Sequence, residues 1–358
     1  MNKIALLLSG GVDSSVALHM LCKVGEKPDC FYIHIGPDED DSYSCTSEED
    51  IEMASAVAKK YDCKFEIIDL HKEYWSEVVK YTMDKVKNGF TPNPDVMCNT
   101  LIKFGAFYDK VGYKYDYIAT GHYATRVGYE YMNKLGFEWW ICPAKDPVKD
   151  QVDFIANIDT KKVPISKIIF PVGNLMKDEV RKIAEENHLI NAKRKDSQGI
   201  CFLGKINYND YIRKYLGNNP GEIIDIDTNK WIGMHYGHWF YTIGQRKGLG
   251  LSGGPWYVVG KDPIKNIVYV SNNMNDVNRN NFSIIDINWL TKKIDSCTKI
   301  KFKIRHTPEV YDGVLTYNRH DNTYSIKSNT PVSTAPGQFC ILYDEDYYHC
   351  YGCGEIRI

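Results

Sequence analysis

Lys3-Ile4-Ala5-Leu6-Leu7-Leu8-Ser9-Gly10-Gly11-Val12-Asp13-Ser14-Ser15 is the stretch on which the fold turns. The apolar run at 3–8 reads as a short buried strand, and a helical pattern at 14–24 follows until Gly25 stops it. A strand, a glycine turn and a helix N-terminus in succession make an anion site. The glycines let the backbone approach a phosphate, while free N–H groups and the helix dipole face it. No Gly-Lys-Ser/Thr follows, so this is not a Walker loop, and the Gly-x-Gly-x-x-Gly dinucleotide fingerprint is absent. The bland alternative is a tight strand-to-helix turn capped by serine and aspartate.

Working outward, further strand patterns fall at 30–35, 64–70 and 116–120. A helix at 48–60 opens on a Thr46/Glu49 capping box. Continuous apolar strands separated by helices predict a doubly wound parallel sheet covered on both faces. The acidic stretch at 37–50 reads as a solvated loop leading into a helix N-terminus. From about 206 the texture changes to glycine, aromatic and β-branched residues, and after Val277 short alternating segments are divided by regular turns. That predicts an antiparallel, barrel-like C-terminal domain. The expected units are an α/β domain at 1–205, a small central domain at 206–276, and a β-barrel domain at 277–358.

The chain has 358 residues, 43% hydrophobic and 25% charged, with a formal net charge of −2. This composition excludes fibrous and disordered classes and suits two or three domains. Bulk charge argues neither for nor against a nucleic-acid partner, so any basic surface must be local. No run reaches the roughly 18 apolar residues of a membrane span, and no targeting segment opens the chain, which points to the cytoplasm and to no membrane partner. The 11 cysteines then read as reduced thiols.

Two cysteines lie in unusual settings. Pro92 and Pro94 hold the segment before Cys98 extended, leaving Asp95 on a loop and Cys98 near the start of a helix carrying Lys103. Cys201 follows the basic run Lys193-Arg194-Lys195 and Gly199. A helix N-terminus or nearby cations favour thiolate, whereas most cytosolic cysteines are small buried hydrophobes. Cys350-Tyr-Gly-Cys353 lacks a second such pair and reads as structural.

The loop Ser9–Ser14 resembles that of the ATP pyrophosphatases known as the PP-loop family. Taken in order, SGGVDSS, NPDVMCN, ATGHYA, KDQ, FPVGNLMKDEVRKIA, KDSQGICFLG and YTIGQRKGLG resemble the tRNA-specific 2-thiouridylases over almost the whole chain. The resemblance implies that ATP adenylates O2 of the wobble uridine and that sulfur replaces it. Leu7, Leu8, Ser9, Gly10, Gly11, Val12, Asp13, Ser14, Ile33 and Gly121 would hold ATP, with Asp13 on Mg²⁺. Cys201 would carry a persulfide from a donor protein. Cys98 would either attack the activated carbon or release sulfur by forming a disulfide with Cys201. Asp95 would act beside the base as a general acid or base. Asn93, Pro94 and Asp95 would contact the flipped uridine, and His122, Lys149, Asp150, Gln151, Arg305, His306 and Gln338 would contact the anticodon stem-loop of Lys-, Glu- or Gln-type tRNAs.

Val152-Asp153 depart from the family pattern after KDQ, and a carboxylate there is expected to disfavour RNA. Two alternatives stand beside this reading: another PP-loop enzyme, such as an amide-forming ligase, and a tRNA-binding paralogue without chemistry.

Overall fold

The computed structural model describes residues 2–36, 47–130, 136–196, 208–320 and 323–358. Its first layer is a parallel sheet of β1 (Ile4–Leu7), β2 (Asp29–His34), β3 (Phe65–Asp69) and β4 (Tyr117–Thr120). A hairpin of β5 (Thr125–Glu130) and β6 (Phe137–Cys142) precedes its last strand, β7 (Ile168–Ile169). The order is β3-β2-β1-β4-β7, with Leu7 opposite both Phe31 and Thr120. The chain thus runs outward from β1 one way and then the other. The crevice at the carboxyl ends of β1 and β4 is the switch point where such folds bind ligands.

Period-2 alternation assigns the two faces. Leu6, Leu8, Cys30 and Tyr32 join a core with Val16 and Leu18 of α1 (Val12–Lys23) and with Val57 of α2 (Ser47–Lys60). Ala5, Leu7, Phe31 and Ile33 face the other way, onto Tyr74, Ile102 and Val152. Helical rods at 71–87 and 94–110 cover that second face. The doubly wound reading is therefore borne out.

The middle unit is a four-stranded sheet, β10-β11-β8-β9, built from β8 (Gly221–Asp225), β9 (Lys230–His235), β10 (Tyr257–Asp262) and β11 (Ile267–Ser271). A helix, Tyr208–Leu216, leads into it. The C-terminal unit closes as an antiparallel barrel of six strands: β12 (Asn278–Trp289), β13 (Thr298–Lys303), β14 (Tyr311–Asn318), β15 (Thr323–Ser333), β16 (Phe339–Tyr343) and β17 (Cys350–Arg357). Phe282, Ile300, Phe302, Leu315 and Ile326 fill its core. Closure leaves the barrel without a bare edge.

The barrel is welded to the α/β unit. Leu290, Ile341, Tyr343, Cys350 and Cys353 share one apolar cluster with Phe104 and Ile155. Asn288 donates to the carbonyls of Ala156 and Ile158, and Thr91 N–H donates to Pro336 O at 2.8 Å. Both thiols of the Cys350/Cys353 pair are fully buried there, and burial pushes them up from the ordinary thiol range, so they stay protonated. Among the described residues no helix is long and apolar enough to cross a membrane.

Candidate active site

The glycine loop is preorganised by its own hydroxyls. Ser14 Oγ donates to Gly11 O at 3.1 Å and accepts from Ser9 N at 3.2 Å, while Ser15 Oγ donates to Gly11 O at 2.9 Å. Gly10 has φ +76°, and a side-chain carbon there would lie 2.4 Å from Asp50 O. Positive φ and that close approach both require glycine. Asn191 Nδ2 donates to Gly10 O at 2.7 Å and to Ser15 Oγ at 2.8 Å, bracing the loop from behind. Arg194 pairs with Asp50 and donates to Gly10 O. The basic run 193–195 thus lends its arginine to the loop. Leu8 and Val12 are buried in the core, so only their backbone can serve a ligand. Ile33 is likewise buried at the end of β2, in the cluster with Leu7.

The end of β4 closes onto this loop. A carbon built on Gly121 would lie 2.6 Å from Ser14 N, a contact that glycine alone permits. Tyr123 OH donates to Asp13 Oδ1 at 2.8 Å. Lys177, first residue of the helix Lys177–Glu186, reaches Asp13 Oδ1 at 2.7 Å and Oδ2 at 2.9 Å. The same ammonium lies 2.8 Å from Asp196, which also binds Lys149 at 2.7 Å and Arg181 at 2.5 Å. Burial works against the Asp196 carboxylate, but the bonds from Lys149 and Lys177 outweigh it and hold its pKa near about 2. Lys177, Arg181, Asp196 and Tyr123 were not singled out from the sequence. The i, i+4 spacing of Lys177 and Arg181, which puts both on one helix face, was the available signal.

The cysteine segment differs from expectation in one respect. Asp95 is not on a loop but in the first helical turn, Pro94–Met97. Pro94 takes the first helical position, where its missing N–H costs nothing. Asn93 is the cap: its Oδ1 accepts from Asp95 N at 3.1 Å and Val96 N at 3.2 Å. Cys98 follows, fully buried, at the start of π-helical turns over Cys98–Ala106, a widened geometry that recurs at functional sites. Asn99 Nδ2 ties back to Asp95 O at 3.0 Å.

Lys103, on these turns, approaches His122 Nε2 at 3.5 Å, and His122 Nδ1 is 2.9 Å from Thr120 Oγ1. Burial, aided by the Lys103 charge, keeps His122 well below the usual histidine range, so the ring is neutral. One short segment, 120–123, thus joins the Cys98 helix to Asp13.

The KDQ triplet is a brace. Lys149 holds Asp196, and Gln151 Oε1 accepts from Tyr123 N at 3.0 Å. Asp150 is 2% exposed, accepts from Ala144 N at 3.0 Å and lies 3.7 Å from the buried Lys303 of β13. Burial raises its pKa to about 6. The Asp150 carboxylate thus points inward, toward the barrel. Asp153 is likewise buried, and is fastened to His306 Nδ1 at 2.8 Å. Arg305 is exposed on the same barrel edge. Gln338 belongs to the turn seated against Phe90 and Thr91, and its buried Oε1 has no partner among the described residues. Cys201 lies outside the described residues, as do Thr46 and residues 37–45.

A PP-loop on an α/β sheet, with a buried cysteine helix joined to it and a barrel locked behind, defines a nucleotide-using enzyme of the HUP class. The family profile for the tRNA methyl transferase HUP domain matches residues 2–205, the tRNA methyl transferase PRC-barrel domain 209–272, and the aminomethyltransferase beta-barrel domain 279–356. The tRNA-specific 2-thiouridylase MnmA 1 of Bacteroides thetaiotaomicron is 52% identical over 363 residues, covering 99% of each chain. The tRNA-specific 2-thiouridylases MnmA of Porphyromonas gingivalis and Parabacteroides distasonis are each 50% identical, over 99% of this chain and 98% of theirs. The chain belongs to the tRNA-specific 2-thiouridylase family.

Proposed function

We propose that this protein converts the wobble uridine of Lys-, Glu- or Gln-type tRNAs to 2-thiouridine, using ATP and a persulfide from a donor protein. One observation carries the reading. In a chain of this family, the loop Ser9–Ser14, the Gly121–Tyr123 segment and the helix of Cys98 meet at the carboxyl ends of β1 and β4.

A uridine carbonyl is a poor electrophile. Adenylation turns O2 into part of a leaving group, and sulfur then attacks C2. The loop amides and Ser9 and Ser14 hold the phosphates. Gly121 allows β4 to close against them. Asp95, Asn93 and Pro94 address the base once it has left its stack. Cys201 carries the sulfur, and Cys98 is the second thiol that the transfer requires. Arg305, His306, Gln338, Lys149, Asp150 and Gln151 would address the anticodon stem-loop, and none of the described cysteines is in a disulfide, which suits a reducing cytoplasm.

Mg²⁺ fits this site. It binds through one or two carboxylates plus substrate phosphates, and Asp13 and Asp196 already converge on one cation, the Lys177 ammonium. Asp13 would hold the ion, which neutralises phosphate charge.

Incubation with ATP, Mg²⁺, a persulfide donor and unmodified tRNA tests the reading on a mercury-containing gel. A retarded tRNA band, absent for Cys98→Ser and Cys201→Ser, is expected. Adenylation of a carboxylate with no thiolated tRNA would point instead to a ligase, and tight tRNA binding without turnover to a binding paralogue.

A further inference from the structure

Lys177 occupies the carboxylate assigned above to the metal ion. Both oxygens of Asp13 are engaged by its ammonium, at 2.7 and 2.9 Å, and Oδ1 also accepts from Tyr123. The lysine is no loose surface partner. Its side chain is 12% exposed, its own N–H donates to Asp146 Oδ2 at 2.9 Å, and its ammonium lies 5.7 Å from the Tyr123 ring centre. A divalent ion approaching Asp13 therefore meets a positive charge already seated on the oxygens it needs.

The second carboxylate makes departure cheap. Asp196 is held by Lys149 and Arg181 as well as Lys177. When Lys177 leaves, Asp196 keeps two cations, so no buried charge is stranded. If Lys177 were a plain structural ion pair, nothing would require Asp196 to be so generously supplied.

We infer that Lys177 is the resident counter-ion of Asp13 in the nucleotide-free enzyme, that the arriving metal–nucleotide complex displaces it, and that the freed ammonium turns onto the phosphates. This rests on the assignment of Mg²⁺ to Asp13 above. Metal entry becomes contingent on nucleotide, because only the complex brings phosphates to receive the displaced lysine. No bond is made or broken; one cation exchanges for another.

Mn²⁺ serves as the spectroscopic probe, with α,β-methylene-ATP as the inert nucleotide. In nucleotide-free protein, electron paramagnetic resonance titration should find Mn²⁺ bound at least about tenfold more tightly by Lys177→Met and Lys177→Gln than by wild type. Lys177→Arg should stay weak, and the gain should vanish in the Asp13→Asn/Lys177→Met double variant. Equal affinity in wild type and both neutral variants overturns the inference, as does a gain that survives loss of Asp13. Should the neutral variants fail to fold, a wild-type crystal with Mn²⁺ and the analogue decides. Manganese on Asp13 with the Lys177 ammonium beyond hydrogen-bond range supports displacement; manganese on Asp13 with Lys177 still bonded overturns it. No manganese on Asp13 at all removes the Mg²⁺ assignment itself.

Discussion

Gly121 concentrates the site's demands on a single α-carbon. A methyl group there would lie 2.6 Å from Ser14 N and 2.9 Å from the Asp13 carbonyl carbon, both rigid backbone of the phosphate loop. Gly121→Ala is expected to cost about 1–3 kcal/mol of stability by forcing that loop outward. Its effect on nucleotide use should be larger: ATP turnover with tRNA falls at least about tenfold, and a wild-type rate would contradict the geometry. Gly10 and Gly121 were legible in the sequence because backbone demands leave a residue-type mark. Lys177 was not, since it meets Asp13 across a separation of 164 positions. A lysine opening an amphipathic helix looks the same in sequence whether it faces water or a carboxylate.

At the scale of the element, the helix of Cys98 depends on how it starts. Asn93→Ala removes the acceptor for Asp95 N and Val96 N, costing about 1 kcal/mol. Because Asp95 and Cys98 sit within this first stretch, thiolation should fall by more than the stability loss explains. Thermal unfolding set beside the mercury-gel rate checks this. The prolines marked an irregular entry in the sequence. They left Asp95 assigned to a loop because proline before a helix and proline at its first position look alike until the cap is seen. His122, at the end of β4, gives the region a pH signature. Its folded pKa is held below 6.5 by burial and by Lys103, so below about pH 6.5 the unfolded chain takes up a proton that the native protein refuses. Stability from this group is present above that range and is lost as pH falls. His122→Asn should flatten the decline in melting temperature between about pH 6.5 and 5, and an unchanged slope would place the acid sensitivity elsewhere.

Across the whole molecule, the barrel and the α/β sheet are joined by a buried charge pair as well as by apolar packing. Lys303 and Asp150 lie 3.7 Å apart, each almost without solvent. Lys303→Met leaves the Asp150 carboxylate without its counter-charge, which should cost about 3–5 kcal/mol at pH 8. Near pH 5 the cost should be much smaller. Asp150 titrates at about 6 with Lys303 present and higher without it, so the acid form is already neutral there. Denaturant titrations at the two pH values measure the difference, and equal losses would contradict it. Strand alternation made the barrel readable in the sequence, as continuous apolar runs between helices did the doubly wound sheet. The join was unreadable: nothing in the sequence pairs Asp150 with Lys303, because an acidic residue looks the same whether its carboxylate turns inward or outward.

The central claim is that this protein activates the uridine's own oxygen. Transfer RNA labelled with ¹⁸O at O2 of the wobble uridine tests it in one turnover with ATP and persulfide. Mass spectrometry of the nucleotide product should find the label in AMP, because the adenylated oxygen departs with the phosphate as sulfur takes its place. Thiolated tRNA accompanied by unlabelled AMP would contradict the account.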